Sequence, residues 1–202
     1  PDREAEGYGL TEKGLAFLKK YSPALLIVLD CGISNFKEVK LSKKLGFKTI
    51  IIDHHEVLDK LPEALIIVDP KQKGDKYPFK HFATVGLAFK LAEALFGKNF
   101  PESLKKSFIE LTAMATIADM MPRQEENELM IAEGLNSIRE TWRPGLQALL
   151  ELDQFKSLDL NQQVSKINSL LNVRDIDEQG LPGALRILTS SSKEEADILA
   201  QN

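Results

Sequence analysis

Hydrophobic positions in the first third of the chain gather in short clusters. Leu25-Leu26-Ile27-Val28-Leu29, residues 47–52 and residues 64–68 each rise out of polar sequence and end on an aspartate, Asp30, Asp53 and Asp69. Continuous apolar runs of this length predict strands buried on both faces of a parallel sheet, since a strand with one wet face alternates instead. Between the first two, Phe36, Val39, Leu41 and Leu45 recur at helical spacing, with Asn35 and Glu38 as a capping pair and Gly46 as a stop. Strand, helix, strand in succession predicts a right-handed crossover and a sheet whose functional groups collect beyond the carboxyl ends of its strands.

Residues 71–80 are polar, contain Gly74 and Pro78, and read as a surface loop. A helix carrying Val85, Ala88, Leu91, Ala92 and Leu95 comes next and stops at Gly97. Residues 102–117 read as a helix with Leu104, Phe108, Leu111 and Ala115 on one face, running into Ala118-Asp119. From Asn127 onward helical patterns dominate, over 129–138, 144–152, 162–171, 182–188 and 193–200. The predicted fold class is α/β: a doubly wound, mostly parallel sheet flanked by helices, with a helical C-terminal part. The organisation read from the pattern is a core over residues 1–140 and a helical remainder over 141–202.

Composition narrows the class without changing that picture. Of 202 residues, 43% are hydrophobic and 28% charged, with 12 Gly and 9 Pro, which is globular rather than disordered or fibrous. Cys31 is the single cysteine, so no internal disulfide forms, and a reducing cytoplasm is the expected location. The longest apolar run, residues 24–29, falls far short of the roughly 20 residues a membrane span needs, so no membrane role is expected. With 26 basic against 30 acidic residues the net charge is −4, which excludes coating of nucleic acid through bulk positive charge.

Asp53-His54-His55 directly follows the second apolar cluster, where a turn projects side chains into the crevice at the sheet edge. Imidazole is a common ligand of transition metals, and carboxylates from neighbouring strand ends make a mixed nitrogen and oxygen shell suited to Mn2+ or Mg2+ rather than thiolate-bound zinc. Asp30 supplies such a carboxylate. Asp53 is placed to hold an imidazole tautomer from behind, as metal-binding histidines require.

These residues belong to a longer ordered set: Val28-Leu29-Asp30-Cys31-Gly32-Ile33-Ser34, Ile51-Ile52-Asp53-His54-His55, Ile67-Val68-Asp69-Pro70-Lys71-Gln72, Tyr77-Pro78-Phe79-Lys80, Val85-Gly86-Leu87-Ala88-Phe89-Lys90-Leu91 and Ala115-Thr116-Ile117-Ala118-Asp119-Met120-Met121-Pro122. The set resembles the RecJ branch of the DHH phosphoesterases, and Pro1-Asp2-Arg3 with Gly7-Tyr8-Gly9-Leu10 resembles the segment preceding the second family motif. The resemblance implies a metal-dependent phosphodiesterase that degrades single-stranded DNA from its 5′ end in repair and recombination, with replication and repair proteins as further partners. It implies Asp30, His54 and Asp119 as metal ligands, His55 and Asp53 as catalytic residues, and His55 as a contact to substrate phosphate. It also implies two divalent ions, Mn2+ or Mg2+, in the complete enzyme. The aspartate-rich first motif is expected upstream of Pro1, so this stretch alone is expected to hold at most one ion weakly and to be inactive.

The chain departs from the family pattern after Pro122, where Arg123 follows, and at Glu126-Asn127, which Glu128 follows. A later family signature survives loosely over residues 167–174, most clearly at Asn172, a candidate substrate contact. Thr84 and Gly86 open a helix whose first amides suit a phosphate. His81 reads as a loop histidine. Trp142 with Arg143 suits either helix anchoring or base stacking, and Lys37, Lys40, Lys43, Lys44 and Lys48 read as a solvated face. Two alternatives stand beside the exonuclease: a hydrolase of short oligonucleotides or cyclic dinucleotides, and a non-catalytic replisome scaffold of the same lineage.

Overall fold

The computed structural model describes residues 7–173, 176, 177 and 180–201. The motif segment Pro1-Asp2-Arg3 and Arg174, at the end of the loose signature, lie outside the described residues. The chain divides into two compact units, Pro1–Leu91 and Ala92–Asn202.

The first unit is built on a three-stranded parallel sheet in the order β1 (Ala24–Leu29), β2 (Phe47–Ile52), β3 (Ile66–Val68). The register sets Leu29 opposite Ile52 and Ile52 opposite Val68, so all three strands end on one line. One sheet face carries Val28 and Ile51, which pack with Val39 of helix α2 (Phe36–Lys44), with Leu10, Leu26 and Ile67 around them. On the opposite face Leu25, Ile27, Leu29, Ile66 and Val68 are exposed. Helix α1 (Glu12–Leu18) precedes the sheet, capped by the Thr11 hydroxyl, which accepts from the Gly14 amide at 3.0 Å, and it buries Leu15.

Asn35 does not cap α2 with its side chain, contrary to the sequence reading. Its Oδ1 accepts from the Leu10 amide at 3.3 Å, and its Nδ2 donates to the Leu10 carbonyl at 3.3 Å and to Glu38 Oε2 at 3.4 Å. A long-range backbone partner has taken the groups that a local cap would use. After β3 the loop through residues 71–80 is tied by Lys80, whose Nζ donates to Asp75 Oδ1 at 2.7 Å and to its carbonyl at 3.1 Å. Phe79 and Phe82 meet edge to face at 4.8 Å between centroids, and helix α3 (Thr84–Phe96) follows.

The second unit is helical. Helix α4 (Glu102–Ala118) packs along α5 (Glu125–Ile138), and Gly134 makes that crossing close, since a Cβ there would stand 2.4 Å from both the Ile109 carbonyl oxygen and the Ala113 Cβ. The buried Glu110 is satisfied by hydroxyls, Ser137 donating at 2.9 Å and Thr141 at 2.8 Å. Helices α6 (Pro144–Leu150), α7 (Leu160–Leu171), α8 (Gly183–Leu188) and α9 (Lys193–Gln201) complete the unit. Met114, Ile138, Leu146, Leu149, Phe155, Val164, Ile167 and Ile187 form its core, so the helical C-terminal part shares one interior with α4 and α5. Asn168 reaches into it to donate to the Met114 carbonyl at 2.9 Å. Among the described residues, no helix is long and apolar enough to cross a membrane.

Candidate metal centre

The parallel ladder carries on one bond past each strand: the Asp30 amide donates to the Ile52 carbonyl at 3.1 Å and the Asp53 amide to the Val68 carbonyl at 3.0 Å. Asp30 then turns the chain with φ +63°, a left-handed conformation that aspartate tolerates better than most residues. Gly32 follows at φ +110°, and a Cβ there would press within 3.1–3.3 Å of Val28 and Ile51 side chains. Only glycine lets the loop fold this tightly over β2. The consequence is a contact 20 positions apart in sequence: the Ile33 amide donates to Asp53 Oδ2 at 3.0 Å.

Asp53 is fully buried and its other oxygen is crowded with donors. Oδ1 accepts the His54 amide at 2.8 Å and the His55 amide at 3.3 Å, and lies 2.6 Å from His55 Nδ1. Burial opposes ionisation of this carboxyl, but the His55 ring and the amides of Ile33, His54 and His55 outweigh it and hold Asp53 below the usual carboxylate range. The carboxylate therefore fixes the His55 ring with Nδ1 turned inward. His54 is buried, with Nε2 3.5 Å from Asp30 Oδ1, and the two imidazoles stand 4.6 Å apart between centroids.

Ligand atoms of Asp30, His54 and His55 come within 4.8 Å of one another, a nitrogen and oxygen donor set that fits a hard or borderline divalent ion. Cys31 is not among the converging donors, and burial, followed by the charges of Asp53 and Asp30, pushes its thiol up. The donor set suits manganese or magnesium, and Asp53 stands behind it as the group that orients an imidazole.

Of the other residues singled out in the sequence, Thr84 and Gly86 lie in the first turn of α3, both buried, and the Gly86 amide donates to the Ala83 carbonyl at 2.9 Å. Asp119 is the C-terminal cap residue of α4 and Asn172 that of α7, both in the second unit. His81 and Trp142 are exposed. Two participants escape the sequence reading. The Ile33 amide has no side-chain signature, and only the glycine two residues after the strand-end aspartate marks the turn that presents it. Asp69 ends β3 as Asp30 and Asp53 end their strands, and the sequence reading places it within the segment Ile67-Val68-Asp69-Pro70-Lys71-Gln72 without giving it a role.

The parallel sheet carries an Asp-His-His turn and a facing aspartate at its strand ends, a donor set that could hold a metal ion, and residues 3–116 match the family described as "DHH family, N-terminal domain". The chain belongs to the DHH family. It is 41% identical over 202 residues to the single-stranded-DNA-specific exonuclease RecJ of Bacillus subtilis (strain 168), covering 99% of this chain and 25% of that protein. To RecJ of Escherichia coli (strain K12) it is 32% identical over 163 residues, covering 75% of this chain and 28% of the relative. The chain thus spans about a quarter of the length of these curated relatives. Among solved structures, exonuclease RecJ bound to manganese superposes with a TM-score of 0.82 at 28% identity, covering 100% of this chain and 50% of that one. RecJ from Thermus thermophilus in complex with Mn2+ gives 0.74 at 25% identity, covering 94% of this chain and 28% of that one.

Proposed function

We propose that this chain is the metal-binding core of a RecJ-type exonuclease that hydrolyses phosphodiester bonds in single-stranded DNA, working in repair and recombination. The observation that carries the reading is the convergence of Asp30, His54 and His55 at the strand ends, with Asp53 locking the histidine pair from beneath. Manganese or magnesium fits this donor set, and when bound it supplies Lewis-acid polarisation of a phosphate and a water of lowered pKa.

The chain's own residues then divide the work. Asp30 and His54 hold the ion. Asp53 accepts from the His55 ring and keeps its Nε2 edge outward, toward a non-bridging phosphate oxygen whose charge grows during hydrolysis. For Asp119 as a further ligand, and for Thr84, Gly86 and Asn172 as substrate contacts, the support is the motif resemblance. The acidic balance of the chain confines DNA contact to this local site, with replication and repair proteins as further partners of the longer protein.

The test is degradation of 5′-labelled single-stranded and duplex DNA by the longer protein that carries this chain, with manganese and with Asp30→Ala as control. Metal-dependent loss of the single strand that disappears with Asp30→Ala supports the reading. Activity that survives Asp30→Ala contradicts it.

A further inference from the structure

The register that aligns the strands also aligns the residues just past their ends. Leu29, Ile52 and Val68 stand in one row, the ladder continues one bond further on each side, and the next residues are Asp30, Asp53 and Asp69. Three aspartates therefore line the carboxyl edge of the sheet, one per strand, on strands about 4.8 Å apart. Asp30 faces solvent and Asp53 meets donors at both oxygens. Asp69 differs from both. It is 1% exposed, its Oδ1 accepts the Lys71 amide at 2.8 Å, and its buried Oδ2 has no hydrogen-bond partner among the described residues.

A carboxylate oxygen enclosed without a donor is retained in a folded protein where another charge compensates it. The charges that act on Asp69 are those of Asp53 and His54 in the site and of Lys71 beside it. Burial pushes its carboxyl up, the Lys71 amide draws it down, the Asp53 carboxylate adds to the rise, and Lys71 and His54 act against it. Asp69 stands outside the set of ligand atoms that Asp30, His54 and His55 bring together, so it is no ligand of that set. A divalent cation held by Asp30 and His54 would add positive charge on the side from which His54 already acts on Asp69.

We propose that Asp69 is a positioning residue of the metal centre: an enclosed carboxylate at the end of β3 that strengthens cation binding through the neighbouring Asp53-His54 turn without touching the ion. The inference rests on the metal-centre reading above. It assigns the third strand a part in the site, beyond the two strands whose ends carry the ligands.

Asp69→Asn separates charge from shape, because the amide keeps Oδ1 for the Lys71 amide and loses only the charge. Manganese affinity by titration calorimetry and the Tm of the metal-free protein are measured on this chain for Asp69→Asn, Asp69→Ala and His54→Ala. The expected result is manganese binding weakened about 10-fold in Asp69→Asn, with a metal-free Tm equal to or above the parent value. Wild-type affinity in Asp69→Asn overturns the inference, and if only Asp69→Ala binds weakly the residue serves the Lys71 turn alone. Wild-type affinity in His54→Ala overturns the metal-centre reading itself. Weak binding in His54→Ala beside unchanged binding in Asp69→Asn removes this inference and leaves that reading standing.

Discussion

Asp53 Oδ1 lies 2.6 Å from His55 Nδ1 while accepting the His54 amide at 2.8 Å, so one buried carboxylate sets both the backbone and the ring of the histidine pair. Asp53→Asn is the sharpest way to disturb it. The amide has the same shape, but one of its two ends becomes a donor and faces either the Ile33 amide or the donors at Oδ1. We expect a loss of about 1–3 kcal/mol in stability, the range for an unsatisfied buried group, and a fall of about 10- to 100-fold in metal-dependent turnover of the longer protein. Urea denaturation together with turnover measurement checks both. Unchanged values in the two assays would show that the histidines are held by something else.

His55 is oriented by Asp53 and points its other nitrogen outward, whereas His54 is buried against Asp30. His55→Ala is therefore expected to keep metal affinity near the parent value and to lower turnover by about two to four orders of magnitude, as for loss of a transition-state charge partner. Calorimetry with manganese and single-turnover kinetics on the same preparation separate the two effects. A metal loss as large as that of His54→Ala would assign His55 to the ion instead.

Gly32 is the hinge of the loop that delivers the Ile33 amide. Gly32→Ala forces a Cβ toward Val28 and Ile51 at a φ of +110°. The expected cost is about 1–3 kcal/mol, typical of overpacking in a tight interior, read as a lower denaturation midpoint at unchanged m-value. A neutral result would mean that the loop relaxes without losing its grip on Asp53.

A pH effect is expected away from the site. The bond from Lys80 holds the Asp75 carboxyl below the usual aspartate range, burial opposes it, and the Tyr77 amide and the Lys80 charge assist. A carboxyl depressed in the folded state contributes stability that is complete above its unfolded value and is lost as pH falls through its folded value. Lys80→Met is expected to lower the Tm modestly near pH 7, because the pair is partly exposed, and to leave it unchanged at pH below the folded value, so that the acid side of the Tm profile flattens. An acid limb identical to the parent's would show that the tether is without thermodynamic effect.

The strands were legible because their apolar clusters stop at aspartates, and β2 occupies the predicted residues 47–52. The third strand is shorter than its apolar cluster, since only Ile66–Val68 find ladder partners on β2. Helix α1 was missed, as its Lys13 and Gly14 dilute the periodicity over seven residues and the Thr11 cap is a short-range signal. Asn35 was misread because a capping pattern looks the same whether or not a distant backbone takes the side chain first. The Asp-His-His turn and Asp30 could be read as neighbours from one strand-helix-strand unit. That Asp53 binds the His55 ring, receives the Ile33 amide and shares a row with Asp69 depends on register and on a glycine turn, which appear only when the sheet is assembled.

Every role assigned to these residues depends on whether the strand ends hold a metal ion. Manganese binding to the purified chain, followed by the loss of free-ion paramagnetic resonance signal during titration, measures this without any substrate. We predict saturable binding that is strongly weakened by Asp30→Ala and by His54→Ala, each with its fold intact by circular dichroism. Manganese binding of equal strength in the parent and in both variants would contradict the assignment of the site.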